Sequence, residues 1–373
     1  MRADLLRMFH AGIAACLPET VLPRHLPAER PRVVLAIGKA AGAMARVAEA
    51  HYPEVAGLAV VPHGWAAELR SIELLHAGHP VPDEASVRAA ERLLVLAGAG
   101  GALVLLSGGA SALACLPAAG LSLADKQAIT DALLRSGAPI DEINCVRRHI
   151  SRIKGGRLPA ALTLAMSDVV GSRPEVIGSG PTVADPTTVA DAHAILDRYG
   201  LEAPLTETAK QVPGEFRLVA GAADLIAAAA AEAERLGYRP VLLGECTGEA
   251  REIGRAHAEA ALALPPGSAL ISGGELTVTV TGAGKGGPNL EYALGAAPPL
   301  ADRPDIHGLA ADSDGIDGNS GAAGAFFSGA DAAGAAALAG NDSAGWFAAA
   351  GGLFAPGPTG TNVNDLRIIL VGR

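Results

Sequence analysis

Lysine is scarce in this chain, and the few lysines stand where a mobile cation could meet an anion. Only five lysines occur, whereas arginines number twenty-four. Lys39 follows Gly38 after an apolar run, where a glycine turn opens a helix, and Lys285 lies in the glycine-rich run 282–287. Backbone N–H groups at such turns attract anions, and lysine adds a point charge. These segments predict phosphate or carboxylate binding, although a surface lysine after a packing turn is the alternative for Lys39.

A second loop of small residues, Leu106–Ala112, also follows an apolar run. Ser107 and Ser111 can donate hydroxyl hydrogen bonds there, and Gly108 and Gly109 can form a nest of amides that receives an anion. The loop does not contain G-x-S-x-G, which disfavours a serine hydrolase. The Lys285 loop is not a Walker A motif either, because Gly286 stands where that motif needs Ser or Thr.

The most basic stretch of the chain runs from Asn144 to Arg157. Its Arg148 and Lys154 are candidates for capturing a phosphate or carboxylate. A solvated helix end, where basic residues favour the helix dipole, explains the same stretch equally well. Asp168 follows the next apolar run, a position that suits a Mg²⁺ ligand or a substrate hydroxyl, or a plain turn cap.

An acidic loop follows a later apolar run and holds Asp312, Asp314 and Asp317 within six residues. A calcium loop would need a terminal Glu that is absent, so Mg²⁺ held by one or two carboxylates, water and phosphate fits better. A further polar loop, 359–365, precedes the last apolar run.

Apolar runs bounded by glycine alternate with helical stretches, which predicts parallel sheets with helices on both faces. A segment near 201–215 with two prolines and little periodicity predicts a linker. The expected fold is therefore α/β with two domains, 1–210 carrying a doubly wound Rossmann-like parallel sheet and 211–373 an α/β domain with a mixed sheet. In the second domain, Leu276–Thr281 is expected to pair antiparallel, and the Ala/Gly tract 321–340 is expected to pack as helix.

The expected strands are Val33–Ile37, Leu58–Val61, Leu103–Leu106, Leu162–Met166, Phe216–Ala220, Pro240–Leu243, Ala269–Ile271, Leu276–Thr281, Ile306–Ala310 and Leu366–Val371.

Composition limits the classes of protein that this chain can be. It has 373 residues, a net charge of −10 and no basic cluster on one face, so nucleic acid is not an expected partner. No apolar stretch approaches the length of a membrane span. Met1–Leu17 is expected to form an amphipathic helix without the features of a signal peptide, and we expect a cytoplasmic protein. The four cysteines are scattered and are expected to be buried free thiols.

The motifs, taken in order, resemble those of the class II glycerate kinases, the glycerate 2-kinases with a C-terminal MOFRL domain that are often labelled hydroxypyruvate reductases. The resemblance covers nearly the whole chain. It rests on the segments 38–40, 79–83, 106–111, 153–157, 167–169, 178–182, 273–275, 284–287, 314–318 and 361–365.

The resemblance implies ATP-dependent phosphorylation of D-glycerate at its 2-hydroxyl to give 2-phosphoglycerate, with Mg²⁺, in a cleft between two α/β domains. ATP and D-glycerate are the implied partners, and a homodimer is left open. Pro288 stands where some members carry Arg, so one positive charge of those members is missing here. The expected catalytic residues are Lys39, Asp168 and Lys285, and the expected metal ligands are Asp312 and Asp314. The expected substrate- and nucleotide-binding residues are Gly38, Ser107, Gly108, Gly109, Ser111, Arg148, Lys154, Gly284, Gly286, Gly287, Asn289, Glu291 and Asn362.

Two other functions stay open at this point. An NAD(P)H-dependent hydroxypyruvate reductase would need G-x-G-x-x-G with an acid about 20 residues on, and Gly38 and Gly42 do not make that fingerprint. A non-catalytic sugar-acid binding protein would have no use for the acidic loop. Both are weaker than a small-molecule kinase, which needs the glycine loops, lysines and acids that the chain offers.

Overall fold

The structure is a computed structural model that describes residues 1–373. The chain forms two compact units. The N-terminal unit comprises residues 21–167 and 172–219, and the C-terminal unit comprises residues 1–20, 168–171 and 220–373. The first helix and the short segment 168–171 thus belong with the second half of the chain.

The strands are β1 (Val33–Ile37), β2 (Gly57–Pro62), β3 (Ile72–Ala77), β4 (Ala102–Leu106), β5 (Leu162–Met166), β6 (Glu215–Ala220), β7 (Arg239–Glu245), β8 (Ser268–Gly274), β9 (Ile306–Asp312), β10 (Gly324–Ser328), β11 (Leu353–Phe354) and β12 (Asp365–Val371). The α-helices are α1 (Arg2–Ala15), α2 (Pro18–Val21), α3 (Ala41–His51), α4 (Glu84–Ala97), α5 (Ala110–Leu113), α6 (Leu123–Arg135), α7 (Ile140–His149), α8 (Val189–Arg198), α9 (Ala222–Arg235), α10 (Ala250–Leu262), α11 (Pro288–Ala296), α12 (Ala335–Ala339) and α13 (Ser343–Ala350). Short 3₁₀ helices lie at Val170–Ser172, Ile177–Ser179, Pro298–Leu300 and Gly329–Gly334.

The sheet of the N-terminal unit has the order β3-β2-β1-β4-β5-β6. The four pairs from β3 to β5 are parallel. The strand order reverses between β1 and β4, which is the switch point where doubly wound folds bind ligands. The expected doubly wound sheet is confirmed, and β1 and β5 have the predicted bounds.

Two strands of this sheet differ from the sequence-based expectation. The prediction omitted β3, an edge strand whose mixed pattern of burial includes the polar Glu73 and His76. The prediction placed the strand now called β6 in the second domain, and this was wrong. It is the sixth strand of the first sheet, where Glu215 N donates to Ala161 O at 3.1 Å.

The sheet of the C-terminal unit has the order β11-β10-β9-β12-β8-β7 and is mixed, as expected. Its central strand β12 runs antiparallel to both β8 and β9, while β7 and β8 are parallel. The carboxyl ends of β7, β8 and β9 therefore meet the amino end of β12 at one edge of the sheet. This edge collects the polar residues described below.

The antiparallel strand expected at Leu276–Thr281 does not form. Thr277 makes an isolated parallel bridge to Glu249, and Thr277 N donates to Gly248 O at 2.8 Å. Thr279 N donates to Glu249 Oε1 at 3.1 Å. The alternating segment therefore satisfies its backbone against the loop that begins α10, and the antiparallel pairs come from β10 and β12 instead.

The helix expected over the Ala/Gly tract 321–340 is only partly present, because β10 occupies its first part. Phe327 is buried over Gly308, where an added Cβ would lie 2.1 Å from Phe327 Cζ. Phe326 packs on the ring of Phe354 with 5.6 Å between centroids. Adjacent aromatic residues that point to opposite faces fit a strand, and glycine under one ring makes the pairing close.

Helix α1 packs in the C-terminal unit. Phe9 meets the ring of Phe354 at 5.1 Å, and a Cβ added to Gly12 would lie 3.0 Å from Leu225 Cδ1. All four cysteines are free thiols. Cys16, Cys115 and Cys145 are buried as expected, whereas Cys246 is only partly buried. None of the helices combines the length and the apolar character that crossing a bilayer requires.

Candidate functional site

Two predicted loops join at the switch point of the N-terminal sheet. Lys39 N donates to Gly108 O at 2.9 Å, and Ala40 N donates to Ser107 Oγ at 3.0 Å. Ser107 is fully buried, so its hydroxyl serves to fix the loop after β1. The loops after β1 and β4 consequently hold each other in place.

Glycine is required where these loops approach. Gly38 has a φ of +133°, and a Cβ there would lie 2.1 Å from Ser107 Oγ and 2.6 Å from Ser107 O. Gly109 precedes α5 with a φ of +82°, and its Cβ would lie 2.9 Å from His79 Cδ2 and 3.5 Å from Lys39 Cγ. Lys39, His79 and Gly109 therefore converge. His79 is not among the predicted site residues, and its only signal in the sequence is the motif 79–83.

Ser111 and Lys154, both predicted to bind substrate, are in direct contact. Lys154 Nζ donates to Ser111 Oγ at 2.9 Å and to Ser111 O at 2.7 Å. Ser111 Oγ also lies 3.0 Å from Ser179 Oγ. Burial in the protein lowers the pKa of Lys154 to about 7. Lys154 and Ser111 therefore form one polar contact beside Ser179.

Arg148, also predicted to bind substrate, forms an ion pair inside the N-terminal unit. Its Nε lies 2.9 Å from Asp185 Oδ2, and the two side chains are 5% and 0% exposed. Its terminal nitrogens donate to Glu175 O at 3.2 Å and to Thr187 Oγ1 at 3.3 Å. The guanidinium is therefore engaged within the protein, and ligand binding by Arg148 stays a prediction.

Asp168 lies in the C-terminal unit, where two asparagines hold it. Asn362 Nδ2 donates to Asp168 Oδ2 at 2.9 Å, and Asn364 Nδ2 donates to Asp168 O at 2.8 Å. Asn364 has a φ of +80° and accepts a hydrogen bond from Asp365 N at 2.9 Å. The predicted residues Asp168 and Asn362 are thus brought together from distant parts of the chain.

The acidic loop begins where β9 ends. Asp312 faces Asp365 across the antiparallel β9–β12 pair. Asp314 N donates to Asp312 Oδ1 at 2.8 Å, and Ile316 N donates to Asp314 Oδ1 at 2.8 Å. Ser313 N donates to Asn364 O at 3.3 Å, which links this loop to the asparagine that holds Asp168. The two predicted metal ligands therefore stand at the same sheet edge as Asp168.

Asp317 occupies the amino end of α11. Its carboxylate accepts from Asn289 N at 3.1 Å and Leu290 N at 2.9 Å. A Cβ on Gly287 would lie 2.4 Å from Asp317 Cγ, so only glycine admits this approach. Burial, and then the charge of Asp365, raises the pKa of Asp317 to about 7. The sequence predicts that an anion binds at the amino end of α11. The carboxylate of Asp317 already occupies that position.

The glycines of the Lys285 loop pack against the chain near residue 342. A Cβ on Gly284 would lie 2.5 Å from Asp342 Cβ, and one on Gly286 would lie 2.3 Å from Ser343 Oγ. Lys285 is exposed, and its N–H donates to Asp342 Oδ1 at 3.2 Å. These glycines permit close packing, and the Lys285 side chain is available to a ligand.

Asn289 and Glu291, both predicted to bind ligand, are buried on α11. Asn289 Nδ2 donates to Asp365 Oδ1 at 2.8 Å. Glu291 accepts from Arg251 Nε at 3.0 Å and from Asn341 Nδ2 at 2.6 Å. Both side chains position neighbouring elements of the C-terminal unit, and a direct contact with ligand stays a prediction for each.

Two family models match the chain. One is described as a domain of unknown function, DUF4147, and matches residues 4–212, and the other is the MOFRL family and matches residues 268–365. A D-glycerate 2-kinase from Thermotoga maritima is 38% identical over 96% of this chain and 96% of its own length. A glycerate 2-kinase from Pyrococcus horikoshii is 39% identical over 91% of this chain and 87% of its own. A relative from Agrobacterium vitis, 43% identical over 100% of this chain and 94% of its own, carries the name "Putative hydroxypyruvate reductase".

The fold is also similar to that of a solved structure. The crystal structure of glycerate kinase from Thermotoga maritima matches with a TM-score of 0.90 and 36% identity, and the match covers 99% of both chains. The family resemblance drawn from the motifs is thereby confirmed. The chain belongs to the glycerate 2-kinase family, in which a DUF4147 domain is followed by a MOFRL domain.

Proposed function

We propose that this protein transfers the γ-phosphoryl group of ATP to the 2-hydroxyl of D-glycerate and releases 2-phosphoglycerate and ADP. Membership of a phosphotransferase family supports the class of reaction. A single observation carries the proposal: hydrogen bonds from Asn362 and Asn364 hold Asp168, and Asn364 is also bonded to the acidic loop, all at one edge of the sheet of the C-terminal unit. A carboxylate beside candidate metal ligands is what transfer to a hydroxyl requires.

Asp168 receives the proton in this reaction. The 2-hydroxyl oxygen forms a bond to the γ-phosphorus, the bond from that phosphorus to the oxygen of ADP breaks, and the hydroxyl proton passes to the Asp168 carboxylate. Asn362 donates to Asp168 Oδ2 and so fixes the direction of the carboxylate. Asn364 holds the backbone of the same residue. A base that is held rigidly needs no reorganisation when the reaction occurs.

Lys39 and Lys285 neutralise charge on the phosphates. Phosphoryl transfer depends on positioning and on stabilising the charge of the equatorial and leaving oxygens. Lys39 extends from a loop that donates two backbone N–H groups to the loop after β4, one to a carbonyl and one to the Ser107 hydroxyl. Lys285 is exposed on its own loop. Each lysine supplies a compact charge on a flexible side chain, without the rigid geometry of a guanidinium. Such a charge suits a phosphate that changes shape during transfer.

Asp312 and Asp314 fit a Mg²⁺ ion that accompanies ATP. Both are carboxylates, the ligands that Mg²⁺ prefers, and each uses its Oδ1 atom to accept from a backbone N–H. No group of three or more His, Cys, Asp or Glu side chains is placed to hold a metal ion. The remaining ligands would be phosphate and water oxygens, and the ion would supply charge neutralisation between the phosphates.

The proposed reaction uses residues of both units. Lys39 and the serine–glycine loop belong to the N-terminal unit, whereas Asp168, Lys285 and the acidic loop belong to the C-terminal unit. Neither set alone combines a base, metal ligands and the full complement of cations. Substitutions in either set are therefore expected to reduce the same turnover.

A coupled assay tests the proposal. Purified protein with D-glycerate and MgATP is expected to release ADP, while the same protein with hydroxypyruvate and NADH or NADPH is expected to leave the nicotinamide unchanged. The loop after β1 lacks the spacing of a dinucleotide fingerprint, which supports this expectation. Nicotinamide oxidation without ADP release would instead favour the reductase.

A further inference from the structure

A cavity in the N-terminal unit gathers three cationic side chains. It has a volume of about 740 Å³ and reaches the Gly109–Ser111 loop and His79. Lys126, Arg147 and Lys154 line it, and Lys126 and Lys154 are only 4% and 2% exposed. Buried lysines are rare without a carboxylate partner, since transfer of a charge out of water is costly.

No carboxylate forms an ion pair with these three basic side chains. Lys126 Nζ donates to Ile150 O at 2.8 Å and to Arg147 O at 3.2 Å, and Lys154 Nζ donates to Ser111. The acceptors are all neutral oxygens. Asp131 also lines the cavity, but it is an exposed residue that pairs with Arg135 at 2.8 Å. The interior of the cavity therefore carries positive charge without an internal counter-charge.

Among the three basic side chains of the cavity, Arg147 is the one whose N–H donors are not used within the protein. Its guanidinium makes no hydrogen bond and no ion pair within the protein, whereas its neighbour Arg148 is paired with Asp185. Successive residues of a helix point about 100° apart, so α7 directs Arg148 into the interior and Arg147 to the cavity. Burial lowers the pKa of Arg147 and lowers that of Lys126 to about 8, as expected where charge is desolvated without a partner.

We propose that Arg147 binds the carboxylate of the acceptor substrate in this cavity, with Lys126 and Lys154 adding a positive field around it. The inference deepens the proposed function and rests on it. A planar guanidinium with free donors matches a carboxylate through two parallel hydrogen bonds. The ligand class is a short 2-hydroxy acid, and an uncharged polyol of the same size lacks the group that Arg147 recognises.

A carboxylate fits this cavity better than the phosphates of the nucleotide. A polyphosphate needs several donors, yet Lys126 and Lys154 already direct N–H groups to oxygens of the protein. One guanidinium with open donors matches one carboxylate. Arg147 is therefore a determinant of acceptor specificity that acts by direct contact.

Isothermal titration calorimetry on the full chain tests this assignment without requiring turnover. Arg147→Met is compared with Arg152→Met, which removes the same charge from an exposed position outside the cavity lining. Loss of a charge-assisted pair is expected to weaken D-glycerate binding about 10- to 100-fold in Arg147→Met. Arg152→Met is expected to bind as wild type, and glycerol is expected not to bind to any of the three. Binding of a non-hydrolysable ATP analogue is expected to be equal in all of them.

Arg147→Lys keeps the charge and loses the planar fork, so it is expected to weaken D-glycerate binding by an intermediate factor. It decides the question if Arg147→Met does not fold, which circular dichroism reports. Unchanged D-glycerate binding in the folded variants would overturn the inference, as would weakened binding of the ATP analogue alone. The absence of ADP release by wild-type protein would instead overturn the proposed function, so the two failures are distinguishable.

Discussion

Replacing Gly38 with alanine tests how the two loops at the switch point are held. The added Cβ would lie 2.1 Å from Ser107 Oγ and 2.6 Å from Ser107 O, and the backbone would keep a φ of +133°. Such a conformation costs a non-glycine residue roughly 1–3 kcal/mol. Overpacking against an immobile carbonyl adds roughly another 1–3 kcal/mol. We therefore expect Gly38→Ala to lower the free energy of unfolding by about 2–6 kcal/mol.

Gly64→Ala provides the matched control, because Gly64 has a φ of +80° and no atom within 4 Å of an added Cβ. It carries the conformational cost of roughly 1–2 kcal/mol without the collision. Urea denaturation followed by circular dichroism measures both variants. Gly38→Ala should also reduce turnover, since Ser107 would have to move from Ala40 N. Equal losses of stability in the two variants would refute the steric argument.

Three further substitutions test the proposed chemistry. Lys39→Ala is expected to lower kcat about 100-fold, as the loss of one transition-state donor does, and near-normal turnover would contradict its role. Asp312→Asn or Asp314→Asn is expected to raise the Mg²⁺ concentration needed for half-maximal activity, and Mg²⁺ titrations of both variants that overlay the wild type would remove the metal assignment. Asp317 has a pKa raised to about 7, above its unfolded value, so the stability it contributes is present at low pH and is lost as pH rises through about 7. Asp317→Asn is expected to flatten this decline between pH 4 and 8 in urea denaturation, and an unchanged decline would contradict the assignment.

Local patterns made the loops after β1 and β4 predictable. An apolar run that ends in glycine defines both the strand and its turn, so Lys39 and Ser107 are placed at strand ends by sequence alone. The pairing of the loops is also expected in a parallel sheet, because adjacent strands end at one edge. The prediction of a strand at Leu276–Thr281 was wrong for a local reason. The backbone N–H groups of this segment donate to side-chain and backbone acceptors near Glu249 instead of to a partner strand.

Contacts between distant segments were not predictable. Nothing local in the sequence pairs Asp168 with Asn362, which lie 194 positions apart and meet in the C-terminal unit. Arg147 and Arg148 are adjacent, and which of them is buried depends on the direction of α7 relative to Asp185. Burial also decides the role of Glu291, whose charge is matched by Arg251. Residue types are read from the sequence, whereas packing determines which charged side chains are paired inside the protein and which can contact a ligand.

The position of the phosphate on the product shows whether this protein phosphorylates the 2-hydroxyl of D-glycerate. Proton-coupled ³¹P NMR of a reaction with D-glycerate and MgATP distinguishes phosphate on a secondary oxygen from phosphate on a primary one, because the first couples to one proton and the second to two. We expect a phosphomonoester doublet, which identifies 2-phosphoglycerate. A triplet from 3-phosphoglycerate, or no new phosphomonoester signal, would contradict it.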